Sequence, residues 1–345
     1  MESSVISCEV NHASDKRKTC KEEEEEEELL VSPKTLERIE EMITTGLPEA
    51  NFFQPLRQYQ GFWCFPVFLR GAILAQENFR AKPEDIFLCS APKTGTTWLK
   101  ALSFATVTRT HFDDSESPLL RKLPHDCIPY LEHVSIKNST RELPPNLPLL
   151  STHAPYSWLP NSITESGCKI VYICRNPKDV FVSLWHFVRN IESENREVIS
   201  LEEGFDLYCR GTSVYGPYLD HVLGYWKASL EFPDRVLFLK YEEMMEDPAF
   251  YLKKLAEFMG YPFSLEEENE GEVQKIIDLC SFDKLSSLEI NTKGKVYYDQ
   301  GAMFNNHTLF RKGKVGDWKN YLTSEMAERL DKIAEDKLGK SGLKF

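Results

Sequence analysis

DIFLCSAPKTGTTW, residues 85–98, is the stretch whose reading decides the fold. Its first half is a short, continuous apolar run, as expected of a strand buried on both faces. Pro92 and Gly95 then break the run, and helical periodicity takes over from about Thr97 to Thr110. A strand, a glycine-bearing loop and a helix start make an anion site, because backbone N–H groups and the positive end of the helix face the same point. Lys93 adds a cation there, and Thr94, Thr96 and Thr97 add hydroxyls. The arrangement is P-loop-like without being the nucleotide-triphosphatase pattern GxxxxGK[ST], since the lysine precedes the glycine instead of following it.

The same alternation continues outward. LPLLSTH, CKIVYICR followed by a helix from about Lys178 to Ile191, and RVLFLKYE followed by a helix from about Pro248 to Met259 repeat the strand and helix order. Continuous apolar strands alternating with helices predict an α/β fold, a single domain with a central, mostly parallel β-sheet flanked by helices. The domain is expected to run over residues 33–345, opening with a helix from Pro33 to Met42 and an aromatic stretch from Phe52 to Phe68. Residues 1–32 are polar and carry the run Glu22 to Glu28, so they are read as a disordered acidic tail.

Composition sets outer bounds. The 345 residues hold 41 Lys+Arg and 54 Asp+Glu, a net charge of −13, which argues against nonspecific nucleic-acid or anionic-membrane binding. No apolar run approaches the roughly 20 residues of a membrane-spanning helix. The N-terminus lacks a secretory apolar core, and the nine cysteines are odd in number with neither a CxxC pair nor zinc spacing. These features predict a cytoplasmic protein with reduced thiols and no metal.

Three further segments carry chemistry. Arg175 follows a strand and Ser183 lies two turns into the next helix, so the two can converge on a second anionic group; the other reading is a helix-starting Arg-Asn-Pro turn with an exposed arginine. Arg311, Lys312 and Gly313 form a basic loop whose glycine permits close backbone approach. His153, after the apolar run Leu147 to Leu150, is expected at a strand end and is either a general base or a structural histidine.

Taken in order, PKTGTTW, STHAP, CRNPKDVFVS, LKYE and FRKGKVGDW resemble the soluble sulfotransferases that use 3′-phosphoadenosine 5′-phosphosulfate (PAPS), from about Phe52 to Phe345. FDLYCRGTSVYGPY and LFLKYEEM resemble the plant cytosolic branch, whose members sulfate small hydroxylated metabolites: flavonoids, desulfoglucosinolates, steroids and hydroxyjasmonates. The resemblance implies that Lys93, Thr94, Gly95, Thr96, Thr97 and Trp98 hold the 5′-phosphosulfate, with Trp98 beside the adenine. It implies that Arg175, Ser183, Arg311, Lys312 and Gly313 hold the 3′-phosphate, and that Tyr241 and Phe282 hold the purine. His153 would be the catalytic base, and Lys93 would stabilise the leaving phosphate.

Phe62, Trp63 and Phe65 in the aromatic stretch, with Phe187 one turn beyond Ser183, are candidates for the acceptor pocket, the other reading being ordinary core. Ser151 stands where many animal relatives carry a second lysine, Cys280 where they often place a hydroxyl, and Ser324 interrupts an echo of the family's dimer motif. A monomer or weak homodimer follows. The competing reading is a nucleotide-binding or kinase-like P-loop protein without sulfotransfer activity.

Overall fold

Alternation within the central strands organises the molecule. The computed structural model describes residues 32–113, 115–133, 147–191, 199–297 and 303–345. Three short strands come first, β1 (Glu49–Phe52), β2 (Gln54–Tyr59) and β3 (Phe62–Cys64), followed by β4 (Ile86–Ser90), β5 (Leu149–Thr152), β6 (Lys169–Cys174) and β7 (Val236–Lys240). The last four form a fully parallel sheet in the order β5-β4-β6-β7. Its strands are buried on both faces: Ile86, Leu88, Val171 and Ile173 join one apolar core, and Phe87, Cys89, Ile170, Tyr172 and Cys174 join the other.

The helices Thr96–Thr108 and Pro248–Met259 cover the first face, and Pro66–Asn78, Pro177–Val188 and Tyr218–Glu231 cover the second. The expected α/β domain with a central parallel sheet is therefore present. The aromatic stretch from Phe52 to Phe68 departs from a uniform βα reading: β1, β2 and β3 form a separate antiparallel sheet, with left-handed backbone at Phe53 and Gln60 turning the chain between them.

The first helix runs Pro33–Glu41, with the Ser32 hydroxyl accepting from Thr35 N as its N-cap. Ser32 thus belongs to this helix and not to the tail. The acidic segment expected to be disordered, including Glu22 to Glu28, lies at residues 1–31, outside the described residues. Among the described residues no helix is long and apolar enough to cross a membrane.

Strand order places the site. β4 has β5 on one side and β6 on the other, so the chain leaves it in both directions across the sheet. In open parallel sheets that split leaves a crevice at the carboxyl ends of the strands, where ligands bind.

Candidate active site

Each central strand delivers one residue to that crevice within three positions of its end. Lys93 follows β4, His153 follows β5, Arg175 follows β6 and Tyr241 follows β7. All four line a single cavity of about 810 Å³.

The loop after β4 is held in a shape only some residues tolerate. Gly95 has φ +116°, and a Cβ there would meet Tyr241 Cδ2 at 2.8 Å, so this position requires glycine on both conformational and steric grounds. Lys93 itself adopts φ +71°. The Thr94 hydroxyl is fully buried and donates to the Ala91 and Ile173 carbonyls. It therefore pins the loop to β6 and does not line the cavity, whereas Lys93, Gly95, Thr96, Thr97 and Trp98 do. The first-turn N–H groups of Thr96–Thr108 have no partner within the helix and face the same space.

Cations converge from three distant segments. Lys93 Nζ lies 3.4 Å from the Thr308 carbonyl and 4.4 Å above the Phe187 ring. Burial, with the nearby Arg311 and Arg175 charges, brings its amine down to about 7. Arg175 is buried, donates through Nη2 to the Lys314 carbonyl at 2.7 Å and stacks 4.4 Å over Tyr241. Arg311 pairs with Asp317. The Nε atoms of Arg175 and Arg311 are buried without a partner, an arrangement that a polyanionic ligand satisfies.

Asp179, fully buried, accepts from Gly316 N at 2.7 Å and Trp318 N at 3.1 Å, clamping the C-terminal basic loop onto the helix that begins after Arg175. Gly313, at φ +61°, lies so close under Phe282 that a Cβ would sit 2.4 Å from its ring. Trp98 and Tyr241 meet edge to face at 5.7 Å, and with Phe282 they complete an aromatic rim. Ser183 and Lys312 line the same cavity.

His153 is fixed from four sides. Its Nδ1 lies 2.7 Å from the Ser90 carbonyl and its Nε2 3.1 Å from the Tyr130 hydroxyl. Its N–H donates to Glu132 Oε1, and its carbonyl accepts from His221 Nε2. Burial first, opposed by the Ser90 hydrogen bond and assisted by the Lys100 charge, lowers the imidazole to about 3. It is therefore neutral across the physiological range. Because a carbonyl only accepts, Nδ1 carries the proton and Nε2 keeps a lone pair.

Sequence reasoning missed His125, Tyr130 and Glu132, which line the cavity, and the clamp role of Asp179. The segment Pro124-His125-Asp126-Cys127-Ile128-Pro129-Tyr130 lies between the regular strands, where apolar periodicity gives no signal; its density of titratable side chains was the available one. The acceptor candidates divide. Phe65 and Phe187 line the cavity; Phe62 and Trp63 do not, and the Trp63 backbone pairs with Gly216 and Tyr215. Phe68, farther along the chain, lines it as well and stacks on Tyr215 at 6.4 Å. Ser151 is buried and donates to the Pro129 carbonyl. Among the described residues no group of three or more His, Cys, Asp or Glu gathers as a metal site.

Comparison with known proteins gives a consistent result. A family model described as "Sulfotransferase domain" matches residues 83–342. Cytosolic sulfotransferase 16 of Arabidopsis thaliana is 48% identical over 320 residues, covering 90% of this chain and 93% of that protein. Flavonol 3-sulfotransferase of Flaveria bidentis is 52% identical over 288 residues, covering 84% and 92%. An Arabidopsis thaliana putative steroid sulphotransferase structure superposes with a TM-score of 0.69 at 36% identity, covering 88% and 94%. A mouse sulfotransferase complexed with PAP superposes at 0.63 with 28% identity, covering 83% and 95%.

Proposed function

This chain belongs to the sulfotransferase family, and from that premise we propose that it transfers the sulfuryl group of PAPS to a hydroxyl of a small plant metabolite in the cytoplasm. The observation that carries the reading is the meeting of three cationic segments, two of them with buried unpartnered guanidinium nitrogens, and a neutral histidine on one cavity. Lys93, Gly95, Thr96, Thr97 and Trp98 would hold the 5′-phosphosulfate. Arg175, Ser183 and the Arg311–Gly313 loop would hold the 3′-phosphate, and Tyr241, Trp98 and Phe282 the purine.

PAPS supplies the sulfuryl group, and the chain supplies positioning and charge. Lys93 neutralises charge on the phosphate that departs, and His153 Nε2 takes the proton of the acceptor hydroxyl. The aromatic end around Phe65, Phe68, Phe187 and Tyr215 suits a flat acceptor, so phenolic hydroxyls of the kind sulfated by proteins named flavonol sulfotransferases are the first class to test. The protein acts as a monomer or weak homodimer, which sedimentation velocity checks.

The deciding experiment is calorimetric titration with adenosine 3′,5′-bisphosphate alongside ATP plus Mg²⁺. The bisphosphate is expected to bind more tightly, and Arg175→Ala to weaken it by about tenfold or more, as loss of a charge-assisted hydrogen bond implies. A preference for ATP would overturn the donor assignment.

A further inference from the structure

Four hydrogen bonds run in series through the site. Thr97 Oγ1 lies 3.1 Å from His125 Nε2, His125 Nδ1 lies 3.2 Å from the Tyr130 hydroxyl, and that hydroxyl lies 3.1 Å from His153 Nε2. His153 Nδ1, at 2.7 Å from the Ser90 carbonyl, closes the series.

The last member sets the direction of all the others. His153 is a donor at Nδ1 and neutral, so Nε2 is bare and the Tyr130 hydroxyl donates to it. That hydroxyl has one proton and therefore accepts from His125, whose Nδ1 carries the hydrogen. His125 is also neutral, chiefly through burial, so its Nε2 is bare and accepts from the Thr97 hydroxyl. In this arrangement Tyr130 engages the lone pair that the base needs, and Thr97 turns lone pairs toward the anion site. Both are the reverse of what transfer requires.

Building on the sulfotransferase reading above, we propose that His125 is a positioning residue that releases the base when the 5′ group of the donor is bound. Thr97 turns its O–H toward an anionic oxygen and accepts from His125 Nε2–H. The Tyr130 hydroxyl, keeping its proton, turns to donate to His125 Nδ1, and His153 Nε2 is left free for the proton of the acceptor. The balance is closed: one N–H bond at Nδ1 of His125 breaks, one at Nε2 forms, and the four side chains hold the same number of protons before and after. Loading of the donor end thereby arms the acceptor end.

The test is ¹⁵N-histidine NMR of the full chain, with His125 assigned by its loss in His125→Asn, in three samples: protein alone, with adenosine 3′-phosphate, and with adenosine 3′,5′-bisphosphate. The expected result is the Nδ1–H tautomer in the first two and the Nε2–H tautomer in the third. An unchanged tautomer in a sample that calorimetry shows to be saturated overturns the gate alone; failure of the bisphosphate to bind overturns the donor reading and the gate together.

Kinetics gives an independent reading. His125→Phe should lower kcat by about 10- to 100-fold, at or below the lower end of the roughly 10² to 10⁴ of general-base catalysis, while the bisphosphate Kd stays within about threefold. In a Tyr130→Phe background, where the lone pair of the base is already free, the same substitution should change kcat by less than about twofold. Full additivity, or loss of donor affinity in step with kcat, would mean that His125 only supports the structure.

Discussion

The two ends of the cavity are built by different means. At the proposed donor end, backbone geometry and fixed charge dominate: the Lys93–Trp98 loop is held by Gly95 and Thr94, and Arg175 is held by the end of β6. At the proposed acceptor end, aromatic side chains from separated elements, Phe65, Phe68, Phe187 and Tyr215, make a wall whose shape depends on packing. A ligand held by backbone N–H groups and cations admits little variation, whereas an apolar wall can be remodelled by exchanging one ring for another. On the proposed reading, the contrast makes the reaction and the choice of acceptor separable properties of this chain.

The most severe way to break the contrast is at its boundary. His153→Ala should lower kcat by about 10² to 10⁴-fold while the bisphosphate Kd is unchanged, measured by steady-state transfer and calorimetry. Unchanged turnover would remove the histidine from the chemistry.

A graded test uses pH. Burial and the Arg311 and Arg175 charges hold Lys93 at about 7, and an anion placed among them raises it again. Above that pH the free protein has a neutral Lys93 and the complex a charged one, so binding takes up a proton, and donor affinity should fall about tenfold per pH unit. Titrations at pH 8.5 in two buffers of different ionisation enthalpy measure the uptake directly, and zero uptake would contradict the assignment.

Smaller again is the clamp. Asp179→Ala leaves the Gly316 and Trp318 N–H groups without their acceptor, at a cost of about 1–3 kcal/mol each if they stay buried. Donor affinity should drop about tenfold with the acceptor KM unmoved. The least effect is expected from Phe68→Ala, a few-fold rise in acceptor KM with donor Kd constant; equal shifts in both would show that the two ends are not separable.

The same contrast explains what could be read from the chain. Strand, loop and helix are contiguous in residues 85–98, so the sheet and the donor loop were legible from local pattern. The placement of Arg175, Tyr241 and His153 on the cavity was legible because each directly follows a buried strand. Trp63 lies off the cavity while Phe65 lines it: a strand sends successive side chains to opposite faces, and membership in an aromatic run does not say which face meets the cavity. His125 and Tyr130 come from irregular chain, and their roles arise only where two separate loops meet around His153. Thr94, though inside the loop motif, serves the fold, because its hydroxyl is spent on β6.

One span in the chain has a consequence for synthesis. The Lys93 ammonium is met by a carbonyl 215 residues later, and Asp179 by backbone 137 residues later. A nascent chain that has already made the donor loop still lacks the segment that closes over it until the last part of the protein leaves the ribosome. On the proposed reading, a chain cut short before Gly316 should therefore express as a protein blind to its donor, however well its central sheet forms.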